Sequence, residues 1–266
     1  MPTNENRNIC LITGATGKIG EAIASRIALD GAYEVYLACR DEARGARTAA
    51  RIREKSGNEN VRVVAADLSS GASLRKLAAS WEGPLHLLVN NAATAPRSRR
   101  ETEEGLEMQF AVNVLGYFRM MHFFEKALRR SEAARVVNVA SYWAGGLDLN
   151  DPQFQSRAYN NDAAYRQSKQ ADRMLTRVFA ERFRDANITV NSCHPGDVRS
   201  QLSSDLGFGG HQTPEEAART PVMLALDPAL DGKSGGYYAS GREADCAFCR
   251  DESSLAKLYE YCLRLA

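Results

Sequence analysis

The chain has 266 residues, 25% of them charged and 44% hydrophobic, which suits one soluble α/β unit with a substantial core and leaves a second domain unnecessary. Its formal net charge is +1, with arginines scattered among acids, so there is no sustained basic stripe for a nucleic-acid backbone. Met1–Asn8 is polar, without signal-peptide character, and no apolar run approaches a bilayer span, so a soluble, cytoplasmic protein is expected.

From the N-terminus onward, short β-branched runs alternate with longer amphipathic ones. That is the pattern of a single Rossmann-type, doubly wound parallel sheet flanked by helices on both faces. Strands are predicted at Asn8–Thr13, Glu34–Ala38, Val61–Ala65, Leu85–Val89, Arg135–Val139, Thr189–Cys193 and Gly236–Ala239. Helices are predicted at Lys18–Leu29, Glu42–Lys55, Ser73–Ala79, Glu103–Arg130, Ala163–Arg184, Thr213–Leu226 and Ser253–Leu265. Nothing repeats and no linker cuts the chain, so one domain spans 1–266.

The first strand runs into Thr13-Gly14-Ala15-Thr16-Gly17-Lys18-Ile19-Gly20. Glycines at such a turn let the backbone approach a pyrophosphate held by the N-terminus of the next helix, which points to a dinucleotide. The second strand ends at Cys39-Arg40 rather than in an acid. A carboxylate there suits the ribose 2′-hydroxyl of NAD, whereas Arg40, with Lys18 and Arg44 nearby, suits the 2′-phosphate of NADP. Further on, Ser141 ends an apolar run, and Tyr165 and Lys169 stand four residues apart in Tyr165-Arg166-Gln167-Ser168-Lys169. On a helix both side chains share a face, where an ammonium can lower a phenol's pKa and fit it for proton transfer near neutral pH. Taken alone such a pair usually marks a solvated helix face; its meaning comes from the motifs around it.

Together these motifs resemble the short-chain dehydrogenase/reductase family, most closely its retinol dehydrogenase-like branch, from Ile9 to about Gly241. The resemblance implies an NADP(H)-dependent interconversion of a carbonyl and an alcohol. Ser141 orients the substrate, Tyr165 is the acid/base, Lys169 holds the nicotinamide ribose, and Asn113 positions a relay water. It further implies cofactor contacts from Gly14, Thr16, Gly17, Lys18, Ile19 and Gly20, from Arg40, and from Asp67 and Leu68 after the third strand. Asn91, Ala92 and Ala93 after the fourth strand and Pro195, Gly196 and Val198 of His194–Ser200 complete that set. His194 is given no chemistry, and Asp197 stands where relatives often carry apolar or aromatic residues. Two positions depart from the branch: Lys18 replaces the usual second glycine, which moves to position 17 as in extended, nucleotide-sugar-type relatives, and Ala93 replaces a commoner glycine.

Three other readings fit parts of this pattern: a light-dependent protochlorophyllide reductase, an extended-type epimerase, and a non-catalytic NADP-binding sensor or scaffold. The long connection Tyr142–Asp162, with Trp143, Phe154 and Tyr159, and the segment Gln201–Gln212, with Leu202, Leu206 and Phe208 between glycines, are expected to wall a moderately apolar pocket. A lipophilic or aromatic small-molecule substrate follows. The six cysteines are expected to be reduced, and Cys246-Ala247-Phe248-Cys249 has redox or zinc-ligand spacing without a second pair, so no metal is expected. A homodimer through the helices beginning near Glu103 and Ala163 is the default assembly.

Overall fold

The computed structural model describes residues 7–266, so most of the polar N-terminal stretch read against a signal peptide lies outside the described residues. The β-branched runs become β1 (Asn8–Thr13), β2 (Tyr33–Cys39), β3 (Val61–Ala65), β4 (Leu87–Asn90), β5 (Ala134–Val139), β6 (Ile188–His194) and β7 (Tyr237–Ala239). Together with β8 (Arg242–Ala244) they form one sheet in the order β3-β2-β1-β4-β5-β6-β7-β8, parallel except for the final antiparallel β7–β8 pair. Along β1, Cys10 and Ile12 enter one core and Leu11 the other, and all three are fully buried. A strand covered on both faces therefore reads as continuously apolar, although its side chains still alternate.

The helices are α1 (Lys18–Asp30), α2 (Glu42–Ser56), α3 (Gly71–Ala79), α4 (Gly116–Phe123), α5 (Glu125–Arg129), α6 (Asn161–Arg182), α7 (Gln201–Asp205), α8 (Pro214–Ala217), α9 (Arg219–Leu226) and α10 (Glu252–Leu265). Ile23 and Ile27 of α1, Ile52 of α2 and Leu224 of α9 close one face of the sheet. Leu74 of α3, Phe118 of α4, Phe179 of α6 and Leu258 of α10 close the other. Phe118 and Phe179 meet edge to face at 5.4 Å, and each such buried ring contributes about 1.5–3 kcal/mol through area removed from water. Side-chain caps start several of these helices: Asp41, Ser70, Asn160 and Asp251 accept from the backbone N–H three residues on. Among the described residues no helix is long and apolar enough to cross a membrane.

Two predicted helices are divided. In place of a single helix at Glu103–Arg130, the chain turns at Thr102–Gly105 and helical structure starts only after Glu107, whose buried carboxylate accepts from the N–H groups of Gln109 (2.9 Å) and Phe110 (2.7 Å). A π-helical segment, Phe110–Leu115, follows, closed by a bond from the Gly116 N–H to the Ala111 carbonyl, and the run breaks again at Phe124 between α4 and α5. The predicted helix Thr213–Leu226 is split at Ala218 because Pro221 has no N–H to give the Ala217 carbonyl. The charged strand β8 and the short helix α7 are additions to the predicted set.

The chain lays down β1, β2 and β3 in one direction, then returns to place β4 beside β1, pairing Cys10 with Leu87 and Ile12 with Val89. At that reversal the carboxyl ends of β1 and β4 diverge into loops on opposite faces, leaving a crevice.

Candidate active site

The turn after β1 is built for close approach. Gly14 sits at φ +65°, and a Cβ there would lie 2.6 Å from the Ala92 Cα; a Cβ at Gly20 would run into the Gly14 carbonyl and lie 2.7 Å from Asn91 Nδ2. Gly17 begins α1 without a side-chain cap, so the N–H groups of its first turn remain directed at the crevice. Asn91 clamps this turn to β4, its backbone N–H donating to Thr13 Oγ1 (2.9 Å) and its Nδ2 to the carbonyls of Thr13 (3.0 Å) and Gly14 (3.2 Å). The Ala92 N–H adds a bond to the same hydroxyl at 3.2 Å. A narrow cradle lined by backbone, beside an uncapped helix start, fits a dinucleotide's pyrophosphate.

Around it, Arg40 is exposed just past β2, and no hydrogen bond or ion pair engages its guanidinium among the described residues. The adjacent Asp41 carboxylate is committed to capping α2 through the Arg44 N–H, while Arg44 itself donates to the Thr16 carbonyl at 3.0 Å. Lys18, standing where the branch carries glycine, reaches across to the Arg199 carbonyl (2.8 Å) and ties the turn to the loop after β6. Asp67 turns its carboxylate onto Ser69, and the Leu68 side chain is in the core against Gly116.

The chemistry-bearing residues converge on one cleft of about 600 Å³, open mouth included, at the carboxyl ends of β4, β5 and β6. Ile19, Asn91 and Ala93 line it on the side of the glycine turn; Ser141, Tyr165 and Lys169 line its floor; Pro195, Gly196 and Val198 line the far wall. The Tyr165 ring is 7% exposed, and burial pushes its phenol well above the ordinary value while a hydrogen bond with Ser141 pulls it down. The ammonium expected to do the lowering is engaged elsewhere: Lys169 Nζ donates to Asp172 Oδ2 at 2.8 Å and to the Val139 carbonyl at 3.1 Å, and lies 5.8 Å from the Tyr165 ring centre. Asp172 is fully buried, its Oδ1 has no hydrogen-bond partner among the described residues, and burial raises its carboxyl to about 7 against the pull of Lys169.

Asn113 lies in the π-helical segment, completely buried. Its amide accepts from the Thr94 N–H (2.9 Å) and donates to the Thr94 carbonyl (3.0 Å) and to Ser168 Oγ (3.1 Å), one residue from Lys169. His194 is kept neutral by burial, at about 4, and packs edge to face on Tyr142 at 4.5 Å. Asp197 sits at the cleft wall, where its charge raises the Tyr142 phenol, and its carbonyl accepts from His211 and Gln212, both at 3.0 Å.

The aromatic walls are redistributed relative to the sequence reading. Trp143, Leu202 and Phe208 line the cleft, and Trp143 and Phe208 meet edge to face at 5.7 Å. Phe154 and Tyr159 instead pack on each other at 5.3 Å, away from the cleft, because Asp151 pins the loop by accepting from the N–H groups of Gln155 (2.6 Å) and Ser156 (3.1 Å). At Gly210 an added Cβ would run into the Arg199 backbone nitrogen, so glycine lets this segment pack directly on the Val198–Arg199 backbone. Two residues at this site escaped the sequence reading. Asp172, three residues from Lys169 on the same helix face, was visible in the spacing; Arg173, which donates to the Ser141 carbonyl, left no local signal. Among the described residues no cluster of three or more His, Cys, Asp or Glu side chains gathers for a metal ion.

A family model described as short chain dehydrogenase matches residues 8–207. Retinol dehydrogenase 13 from Homo sapiens is 33% identical over 276 residues, covering 96% of this chain and 83% of its own length. Polyprenol dehydrogenase from Mus musculus is 35% identical over 289 residues, covering 100% and 85% respectively. Among solved structures, the RhlG/NADP active-site complex of Pseudomonas aeruginosa aligns with a TM-score of 0.69 at 29% identity over 88% of this chain and 95% of that one. Salutaridine reductase from Papaver somniferum aligns at 0.72 with 24% identity over 87% and 99%, a likeness of fold.

Proposed function

The chain is an oxidoreductase of the short-chain dehydrogenase family, and we propose that it uses NADP(H) to interconvert an aldehyde or ketone with its alcohol on a lipophilic or aromatic small molecule. The observation that carries this reading is the convergence of Ser141, Tyr165 and Lys169 with Ile19, Asn91 and Ala93 in one cleft. Retinol and polyprenol dehydrogenases among the relatives, and the apolar wall of Trp143, Leu202 and Phe208, support a lipophilic substrate.

The cradle at Gly14, Thr16, Gly17, Ile19 and Gly20, with Asn91, Ala92 and Ala93 opposite, would hold the dinucleotide, and Pro195, Gly196 and Val198 would close over its nicotinamide end. When bound, that group supplies or takes up the hydride. Arg40, without a partner among the described residues and beside a committed Asp41, favours the 2′-phosphate, in keeping with the NADP complex of a relative at 29% identity. Ser141 donates a hydrogen bond to the substrate oxygen as negative charge grows there, and Tyr165 delivers the proton. Burial keeps the phenol protonated before reaction, which favours reduction; in oxidation the Ser141 hydrogen bond helps the same phenol act as base. Lys169, now held by Asp172, would hold the cofactor ribose when the dinucleotide is bound, and Asn113, fixed on Thr94 beside Ser168, would order the relay behind it.

The test is a screen of aldehydes and ketones graded by size and polarity, followed by NADPH absorbance, with Tyr165→Phe as the diagnostic variant. Turnover of the variant is expected to fall by at least about 10³-fold while NADPH binding stays near wild type. Retained turnover would refute the assignment.

A further inference from the structure

The cysteine pair that the reaction leaves unused reaches Ser141 through one residue, Arg173. Four of the six thiols, Cys10, Cys39, Cys193 and Cys262, are buried, whereas Cys246 and Cys249 are partly exposed. The pair brackets a single 3₁₀ turn, Ala247–Cys249, in which the Cys249 N–H donates to the Cys246 carbonyl at 3.0 Å. A turn closed in this way holds its end α-carbons within about 7 Å, overlapping the span a disulfide bridges.

Both thiols also touch Arg173. Cys249 Sγ donates to its carbonyl at 3.5 Å, and its guanidinium lies beside Cys246. That guanidinium stacks 3.5 Å from the Tyr237 ring centre and 5.8 Å from that of Phe248, one of the two residues between the cysteines. Its terminal nitrogen donates to the Ser141 carbonyl. The neighbouring Cys249 and the Arg173 charge bring the Cys246 thiol down to about 7, so part of it is thiolate at neutral pH.

We propose that Cys246 and Cys249 form a reversible intramolecular disulfide whose state is transmitted to Ser141 through Arg173. With a small-molecule disulfide such as glutathione disulfide as oxidant, the Cys246 thiolate attacks one sulfur and expels a glutathione thiolate, which takes up a proton. Cys249 then loses its proton to water, attacks the Cys246 sulfur and expels the second glutathione. Two protein thiols are oxidised by two electrons and one glutathione disulfide is reduced to two thiols. In the oxidised form Cys249 has no hydrogen for the Arg173 carbonyl and the thiolate beside the guanidinium is gone. Phe248 must move as the two Cβ atoms draw to about 3.8 Å.

The full-length protein is incubated with glutathione disulfide at pH 7.5, alkylated with iodoacetamide and analysed by intact mass and peptide mapping. Two alkylatable thiols should disappear, both from the peptide carrying Cys246 and Cys249, and return with dithiothreitol; Cys246→Ser should form no internal disulfide. Six thiols left alkylatable, or a bridge to another cysteine or another chain, overturns the site. The activity readout alone rests on the oxidoreductase reading: turnover of the oxidised protein should fall about fivefold, the scale of one displaced hydrogen bond, recover on reduction, and resist oxidation in Cys246→Ser. Unchanged turnover in fully oxidised protein overturns the link to Ser141 and leaves the disulfide standing. A chain with no turnover in either state fails the functional reading instead, and the mass result is unaffected.

Discussion

Replacing Asp172 with asparagine keeps the volume beside Lys169 and removes a titrating charge. In the native protein this carboxyl is fully buried, meets the lysine with Oδ2 at 2.8 Å, has no partner for Oδ1 among the described residues, and is raised from 3.8 to about 7. Because the folded pKa lies above the unfolded one, the native state binds the proton more tightly. The associated stability is fully present below about pH 4 and is lost as pH rises through about 7. A shift of this size corresponds to roughly 4 kcal/mol. The Asp172→Asn variant has no such loss, so it should gain on the wild type by up to about 4 kcal/mol between pH 4 and pH 8. With a urea slope of about 3 kcal/mol/M, the difference between the two midpoints should change by roughly 1 M. Urea titrations at pH 4.5, 5.5, 6.5 and 7.5 at fixed ionic strength, followed by the fluorescence of Trp81 and Trp143, measure it directly. Two pH profiles that run parallel would mean that the carboxyl titrates like an exposed one, and the argument from burial would be wrong.

Arg40→Asp should move cofactor preference toward NADH by about 10–100-fold in kcat/KM ratio, through loss of a charge-assisted contact and gain of repulsion; a wild type that already prefers NADH would disprove that role for Arg40. Gly14→Ala should lower stability by about 1–3 kcal/mol from the positive φ alone and weaken NADPH binding more than tenfold, since the new methyl meets the Ala92 backbone. Thermal melts with and without NADPH check both parts, and a variant that is still shifted normally by the coenzyme would show that the turn is not the cradle.

Most of the sheet was legible because buried parallel strands announce themselves as short apolar runs, as Cys10-Leu11-Ile12 does in β1. Strand β8 was not: Arg242-Glu243-Ala244 is polar, largely exposed and three residues long, and only its pairing with β7 makes it a strand. The interruption of the helix after Glu103 was equally hidden, since it depends on a carboxylate turning back onto the N–H groups of Gln109 and Phe110. At the site, order and spacing were enough to put Ser141, Tyr165 and Lys169 together. Burial, which decides the proton affinity of Tyr165 and Asp172, is a property of the packed chain and has no local signature. For the same reason the aromatic residues of one loop divided unpredictably, Trp143 facing the cleft and Phe154 the interior. An unpaired loop sequence does not say which way its rings turn.

The widened turn at Phe110–Leu115 makes the position of one amide a matter of chain length. A regular helix advances about 100° per residue. Deleting Val114 or Leu115, just beyond Asn113, would restore an ordinary helical ladder and turn Asn113 by about that angle about the helix axis. The Asn113 carboxamide would then leave Thr94 and Ser168 with its codon unaltered. Indel scanning through these six positions is therefore a sharper probe of this corner of the cleft than exchanging one side chain for another.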